Sequence, residues 1–348
     1  MVKRVVVVGG GFAGSNVVCG LEKDERFSVT LIDTKDYFEF TPGVLRVLVE
    51  PEHIKKIQVC HESYLKKSKF LRGKIFSIND NSVSLENGKK INFDYLVLAS
   101  GSFYHEPFKS ENVVSATRAK ELSEFYERLK NAKRVVIVGG GLVGTEITGE
   151  ILDNYPEKEI TIIHSHDRIL ERNPLRASEY VKKLYEGKGV KFFLNEKVKD
   201  YKKKNLETDK GTKIKADLVF GSIGITPHSE MIVKSEFANL IDENKFVEVD
   251  EFLRLKGKER IFICGDVAGV KEEKTAQHAV HQARVVARNI KNFESGKKLH
   301  KYVGEDSPLV ISLGKWNGLF VHKNFVLTGI IPAFMKWFIE WNEMRKYR

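Results

Sequence analysis

The chain has 348 residues, 42% of them hydrophobic, which supplies the cores of two or three domains and excludes a disordered protein. A formal charge of +11 and an isoelectric point near 9.3 imply attraction to something anionic. No apolar run approaches the roughly 18 residues that span a bilayer, and three scattered cysteines exclude a disulfide framework, a metal site or a C-x-x-C relay.

The first element is a strand of β-branched residues, Val5 to Val8, that feeds directly into Gly9, Gly10, Gly11, Phe12, Ala13 and Gly14. This G-x-G-x-x-G is what a buried parallel strand turning into a helix looks like. Gly9 allows the tight turn, Gly11 lets backbone amides reach a pyrophosphate, and Gly14 permits close packing of helix on strand. SVTLID then reads as a second strand ending in Asp33, where a carboxylate grips a pair of ribose hydroxyls. Pro42 and Gly43 break the chain before a helix that carries Arg46 in its first turns, a cation for the pyrophosphate. GKIFSIND, with Ile75, then SVSLENG and KINFDYLVLASG read as strands joined by an Asn-Gly turn. The last ends in small residues, Ala99 and Gly101, against which a cofactor can lie.

ATRAKELSEFYERLKNAK is expected as a helix leading to a second unit, VVIVGGGLVG, with Gly139, Gly141 and Gly144. Two dinucleotide units in one chain suggest electrons passing from a nicotinamide to a flavin. The strand EITIIH ends in His164 where the first unit has Asp33. Without a carboxylate there, discrimination against a 2′-phosphate is removed, and Ser165, His166 and Arg168 offer donors and charge to it. NADPH is therefore expected to be accepted at least as well as NADH. ADLVFGSIGITP, with Gly224, closes this unit as DYLVLASG closes the first. RIFICGDVAG returns to the first sheet and puts Asp266 at its open edge, within reach of ribitol hydroxyls. The helix KTAQHAVHQARVVARNI follows, its N-terminus aimed at the flavin pyrimidine.

In the tail, Phe334, Trp337, Phe338, Trp341 and Met344 share one helical stripe, with Lys336, Glu340, Glu343 and Arg345 away from it. Tryptophans with a basic end fit a bilayer surface, which makes peripheral membrane contact one reading of this helix; packing on the flavin domain or a homodimer interface is the other. No signal-like segment precedes the first strand, so a cytoplasmic protein, peripheral on a membrane at most, is expected. The lysine clusters come without an aromatic-rich motif, so nucleic acid is not expected as a partner.

The fold class is α/β, with two Rossmann-like FAD/NAD(P)-binding domains, the second inserted in the first. Residues 1–110 and 245–300 form the expected FAD-binding domain, 111–244 the NAD(P)H-binding domain, and 301–348 a small C-terminal region with the amphipathic helix.

With both glycine units, DYLVLASG, GSIGITP and RIFICGD, the chain resembles the two-dinucleotide-binding-domain flavoproteins over nearly its whole length. It is most similar to the apoptosis-inducing-factor-like, ferroptosis-suppressor type of NAD(P)H:quinone oxidoreductase, with type II NADH dehydrogenases as more distant relatives. DTKDYFEFTPGVLRVLVE, EILDNYPEKEITIIHS and KTAQHAVHQARVVARNI carry that closer likeness. The resemblance implies FAD held by Gly9 to Gly14, Asp33, Arg46, the backbone near Ile75, and Asp266, with NADPH or NADH over Gly139 to Gly144. It implies a hydride passing from nicotinamide to flavin and two electrons going on to a quinone of the ubiquinone or menaquinone type. Glu146 matches a family glutamate placed for proton handling, and Lys336 resembles a C-terminal lysine near the quinone. There are departures: the start Met-Val-Lys lacks the glycine that is myristoylated in some members, and A-Q-x-A-x-Q is only partly met by Ala276, Gln277, Ala279 and His281. The alternatives are a reductase of a ferredoxin or rubredoxin, and a redox sensor.

Overall fold

The structure is a computed structural model that describes residues 1–104, 107–109 and 115–348. Strand Lys3–Val8 lies at the centre of a five-stranded sheet, parallel to Phe27–Asp33 on one side and Tyr95–Leu98 on the other. Lys69–Arg72 and Ile261–Ile263 form the two edges, also in parallel. A strand with neighbours on both sides and covered faces has to be apolar throughout, and Val5 to Val8 are all buried. Helices Phe12–Leu21 and Ala276–Glu294 cover one face together, close enough that a Cβ on Gly20 would touch Ala287 at 3.1 Å.

A second parallel sheet has the order Lys191–Leu194, Glu159–His164, Arg134–Val138, Leu218–Gly221. Its strands fall in sequence between Tyr95–Leu98 and Ile261–Ile263, two neighbours of the first sheet. The expected boundary between residues 110 and 111 lies outside the described residues.

The two glycine turns are built alike. Gly9 N–H donates to Ile32 O and Gly139 N–H to Ile163 O, each at 2.8 Å. Both glycines have positive φ, +96° and +108°, a region that a side chain enters only with strain. A Cβ on Gly14 would lie 1.7 Å from Gly9 O, and one on Gly144 would lie 1.9 Å from Gly139 O. Helix and strand therefore meet at a distance that only glycine permits.

The C-terminal region is a three-stranded antiparallel sheet, Leu309–Ser312, Gly318–His322 and Phe325–Gly329, followed by helix Ile330–Met344. That helix is mounted inside out. Its polar residues Lys336 and Glu340 face the body of the protein, pairing with Glu146 and His53. Its apolar stripe faces outward, with Ile330, Ile331, Phe334, Trp337, Phe338 and Trp341 each 46% exposed or more. Met344 departs from the expected stripe: the end of the helix runs against the body and buries it in the core beside Tyr347. Tyr347 then fastens this region to the first unit, its Oη 2.9 Å from Ser15 Oγ and its ring stacked on Phe38 at 4.1 Å between centroids.

Candidate functional site

A cavity of about 1540 Å³ opens from the first glycine turn. Gly9, Gly10, Gly11, Phe12, Ala13, Asp33, Ile75, Ala99, Gly101 and Asp266 all line it. Gly14 does not, because its role is the contact with Gly9. The N-terminus of helix Phe12–Leu21 carries no side-chain cap, and a Cβ on Gly11 would meet nothing within 4 Å. Uncapped amide donors facing open space are what a pyrophosphate requires, so the residues present fit a dinucleotide.

Asp33 sits at the end of its strand with Oδ2 accepting from Gly10 N–H at 2.5 Å and Oδ1 from Lys35 N–H at 2.9 Å. Burial alone would raise its pKa, but His61, whose Nε2 is 3.7 Å away, and the Lys35 amide and charge hold it below the usual carboxylate range. It is therefore ionised and keeps lone pairs for a ribose. Asp266 is likewise held low against burial by Lys109, at 2.8 Å, and by Ser102, at 2.6 Å.

Arg46 is elsewhere. Its guanidinium is 3.1 Å from Glu150 Oε1, outside the cavity. Glu150 is 4% exposed, and turning Arg46 toward a pyrophosphate would strip a buried carboxylate of its cation, a costly exchange. Of the cavity-lining cations, Lys109 lies closest to Asp266, bonded to it directly.

The two residues expected to handle protons meet. Lys336 Nζ lies 2.7 Å from Glu146 Oε1 and 3.3 Å from Val310 O. Glu146 Oε1 also accepts from Ser312 N–H at 2.9 Å. One turn further along helix Leu142–Asn154, Glu150 takes Ser312 Oγ at 3.1 Å as well as Arg46. Glu146 and Lys336 both line the cavity, as do Gln277, His281, Phe338 and Ile339. Ser312 and Glu150 were not singled out from the sequence, although the i,i+4 pair Glu146/Glu150 on a helix that is otherwise buried was a usable signal.

Gly139, Gly141, Gly144, His164 and Gly224 lie outside this cavity, on the second sheet's own open edge. Gly141 repeats the uncapped helix start, with nothing within 4 Å of a Cβ. His164 Nδ1 accepts from Gly140 N–H at 3.1 Å, as Asp33 does from Gly10, and Nε2 lies 3.1 Å from Glu171 Oε2. Burial keeps the imidazole pKa low, against the opposing pull of Glu171. Arg168 is not free for a phosphate: it donates to the carbonyls of Leu170, Glu171 and Asn173.

His164, His166 and Glu171 bring three possible metal-ligand atoms within 4.8 Å of one another. A ligating imidazole donates its second N–H to an acceptor, whereas His164 Nδ1 faces a donor and its proton belongs on Nε2, the atom a metal would need. The cluster is a poor metal site. Nor is there thiol chemistry here: none of the three cysteines lines the cavity, and burial pushes the Cys264 thiol up to about 12.

The profile of the pyridine nucleotide-disulphide oxidoreductase family matches residues 3–283. Apoptosis-inducing factor homolog B of Dictyostelium discoideum is 33% identical, over 91% of this chain and 89% of that protein. Ferroptosis suppressor protein 1 of Xenopus laevis is 32% identical, over 93% and 91%. In fold, the chain is similar to the sulfide:quinone oxidoreductase of Aquifex aeolicus, with a TM-score of 0.85 at 22% identity over 99% of this chain and 91% of that one. It is also similar to NDH2 from Plasmodium falciparum in complex with NADH, with a TM-score of 0.80 at 15% identity over 100% and 99%. The chain belongs to the pyridine nucleotide-disulphide oxidoreductase family.

Two substitutions separate packing from binding. Gly14→Ala is expected to destabilise the fold by roughly 2 kcal/mol or more through the clash with Gly9 O. Gly11→Ala is expected to keep the melting temperature and lose flavin, read as visible absorbance per chain. The acid limb of stability tests His164. Its lowered pKa means that its contribution is complete above the ordinary value of about 6.5 and is lost as pH falls through the lowered one. The melting temperature should therefore drop as pH falls below about 6.5, and His164→Asn should flatten that drop.

Proposed function

We propose that this member of the family reduces a quinone with electrons from NADH or NADPH through a tightly held FAD, at a membrane surface. The observation that carries the reading is the Glu146–Lys336 pair, set in the wall of one cavity that runs from a dinucleotide turn to a helix whose outer face is bare and apolar.

FAD, when bound, supplies the means of taking a hydride from the nicotinamide and giving two electrons to the acceptor. The uncapped turn at Gly9 to Gly14 holds its pyrophosphate, and Asp33 and Asp266 take its sugar hydroxyls. The second turn, at Gly139 to Gly144, borders the cavity through Leu142 and Val143, which suits a nucleotide that must hand a hydride to a group held there. Reduction of a quinone consumes two electrons and two protons, one proton more than the hydride brings. Lys336 Nζ is positioned to deliver that proton to a quinone oxygen, and Glu146 Oε1, hydrogen-bonded to it, to hold the replacement. Lys336 is 19% exposed on its side chain, so it is shielded from solvent yet reachable from the cavity.

Among the described residues no helix is long and apolar enough to cross a membrane. The inside-out helix suits the surface of one. Trp316 extends its stripe, 6.4 Å from Phe334 between ring centroids. Cations border it, with Arg345 4.9 Å from the Trp341 ring and Lys315 5.7 Å from the Trp316 ring. Sinking half-exposed side chains of this size into lipid contributes on the order of 1 kcal/mol each, so six of them give firm but reversible attachment. A lipid-soluble acceptor then reaches the cavity past Phe338, which belongs to both the stripe and the cavity wall.

Stopped-flow absorbance tests the reaction. The flavin should bleach on mixing with NADH or NADPH and recover on mixing with a soluble ubiquinone analogue. Lys336→Ala should slow recovery by roughly 10²-fold while leaving bleaching intact. Loss of both phases would make Lys336 a structural residue, and reduced flavin that ignores quinone would sink the quinone reading. Attachment is tested by liposome flotation. Phe334→Glu combined with Trp337→Glu should abolish flotation and leave the rate with the soluble analogue unchanged. A wild-type protein that does not float and is a dimer would overturn the membrane reading.

A further inference from the structure

We infer that Glu171, rather than the residue at the end of the strand, sets the choice between the two nicotinamide dinucleotides, and that it acts against the 2′-phosphate. The inference rests on the nucleotide site proposed above. In the first unit one carboxylate, Asp33, both accepts the Gly10 N–H and presents charge to the ribose position. In the second unit these tasks are divided. His164 Nδ1 takes the Gly140 N–H at 3.1 Å, which places the ring proton on Nε2, and Nε2 donates to Glu171 Oε2 at 3.1 Å. The charge missing from the strand end is thus restored one imidazole further out.

Glu171 is ionised, since contact with His164 and local backbone bonds hold its pKa below the usual range against burial. It is also within 4.8 Å of a ring nitrogen of His166, so it faces the space beside the strand end where a ribose 2′ substituent belongs. The cations around it do not cancel it. Arg168 is occupied by three backbone carbonyls. Arg172 approaches only to 3.8 Å with its side chain 74% exposed, where solvent screens the pair. A free 2′-hydroxyl can donate to such a carboxylate, while a 2′-phosphate brings like charge against it.

Calorimetric titration of the flavin-loaded protein with ADP-ribose and with its 2′-phosphorylated form tests this without turnover. The wild type should bind ADP-ribose the more tightly. Glu171→Gln keeps an oxygen that accepts from His164 Nε2 and removes only the charge; it should strengthen binding of the phosphorylated probe roughly tenfold and leave ADP-ribose unchanged. An unchanged ratio of the two affinities overturns this inference alone, as does an equal loss of both, which would mean that Glu171 merely orients His164. If neither probe binds the wild type, the nucleotide site itself is wrong and the inference falls with it. Should the variant fail to fold, the wild-type ratio is measured against ionic strength. Discrimination that shrinks as salt rises supports the charge effect, and a salt-independent ratio overturns it.

Discussion

Two buried carboxylates one turn apart, Glu146 and Glu150, hold the parts of this protein in register. Each would be expensive to leave unpaired, and each is satisfied from a different direction. Glu146 takes Ser312 N–H and Lys336; Glu150 takes Ser312 Oγ and Arg46. The helix behind the second glycine turn is thereby tied to the antiparallel sheet, to the C-terminal helix and to the segment after the first unit. Displacing any one of these would expose a charge to an apolar interior. The cavity is bounded by the pieces that this network fastens, so its shape is set by electrostatic satisfaction as much as by packing.

The two glycine turns are near copies in backbone and differ in what surrounds them. The first shares its cavity with the strand ends at Ala99 and Asp266 and with residues of the C-terminal helix. The glycines of the second do not line that volume, although Leu142, Val143 and Ile225 beside them do. A ligand at the first turn would sit within that volume, and one at the second would border it. Such a difference separates a group that stays from one that exchanges. The same local sequence pattern thus yields two kinds of site through its neighbours alone.

Much of this was legible in the sequence because its cause is local. Val5–Val8 and Val135–Val138 read as buried parallel strands since β-branched runs of that length have few other fates, and positive φ at Gly9 and Gly139 follows from the turns they make. What was not legible depends on long-range partners. Lys336 and Glu146 are 190 positions apart, and no period links them. Arg46 was read as a cation for a pyrophosphate because it follows the first unit, but Glu150, from the other unit, claims it. The stripe on helix Ile330–Met344 shows that one side is apolar, and periodicity does not say which side faces in. That depended on one buried carboxylate elsewhere, Glu146, requiring Lys336.

Tyr347 has a consequence for how the protein is made. The second sheet is drawn from residues between 134 and 221 and can close as soon as that stretch is available. The first sheet, begun at residue 3, must wait for Ile261–Ile263 to complete its edge, and the helix behind its glycine turn must wait for Tyr347 to bond Ser15. On the ribosome, the unit that starts later therefore matures earlier. The earlier one emerges with an apolar strand edge unpaired for more than a hundred residues of synthesis, an interval in which aggregation competes with folding and chaperone capture is at a premium.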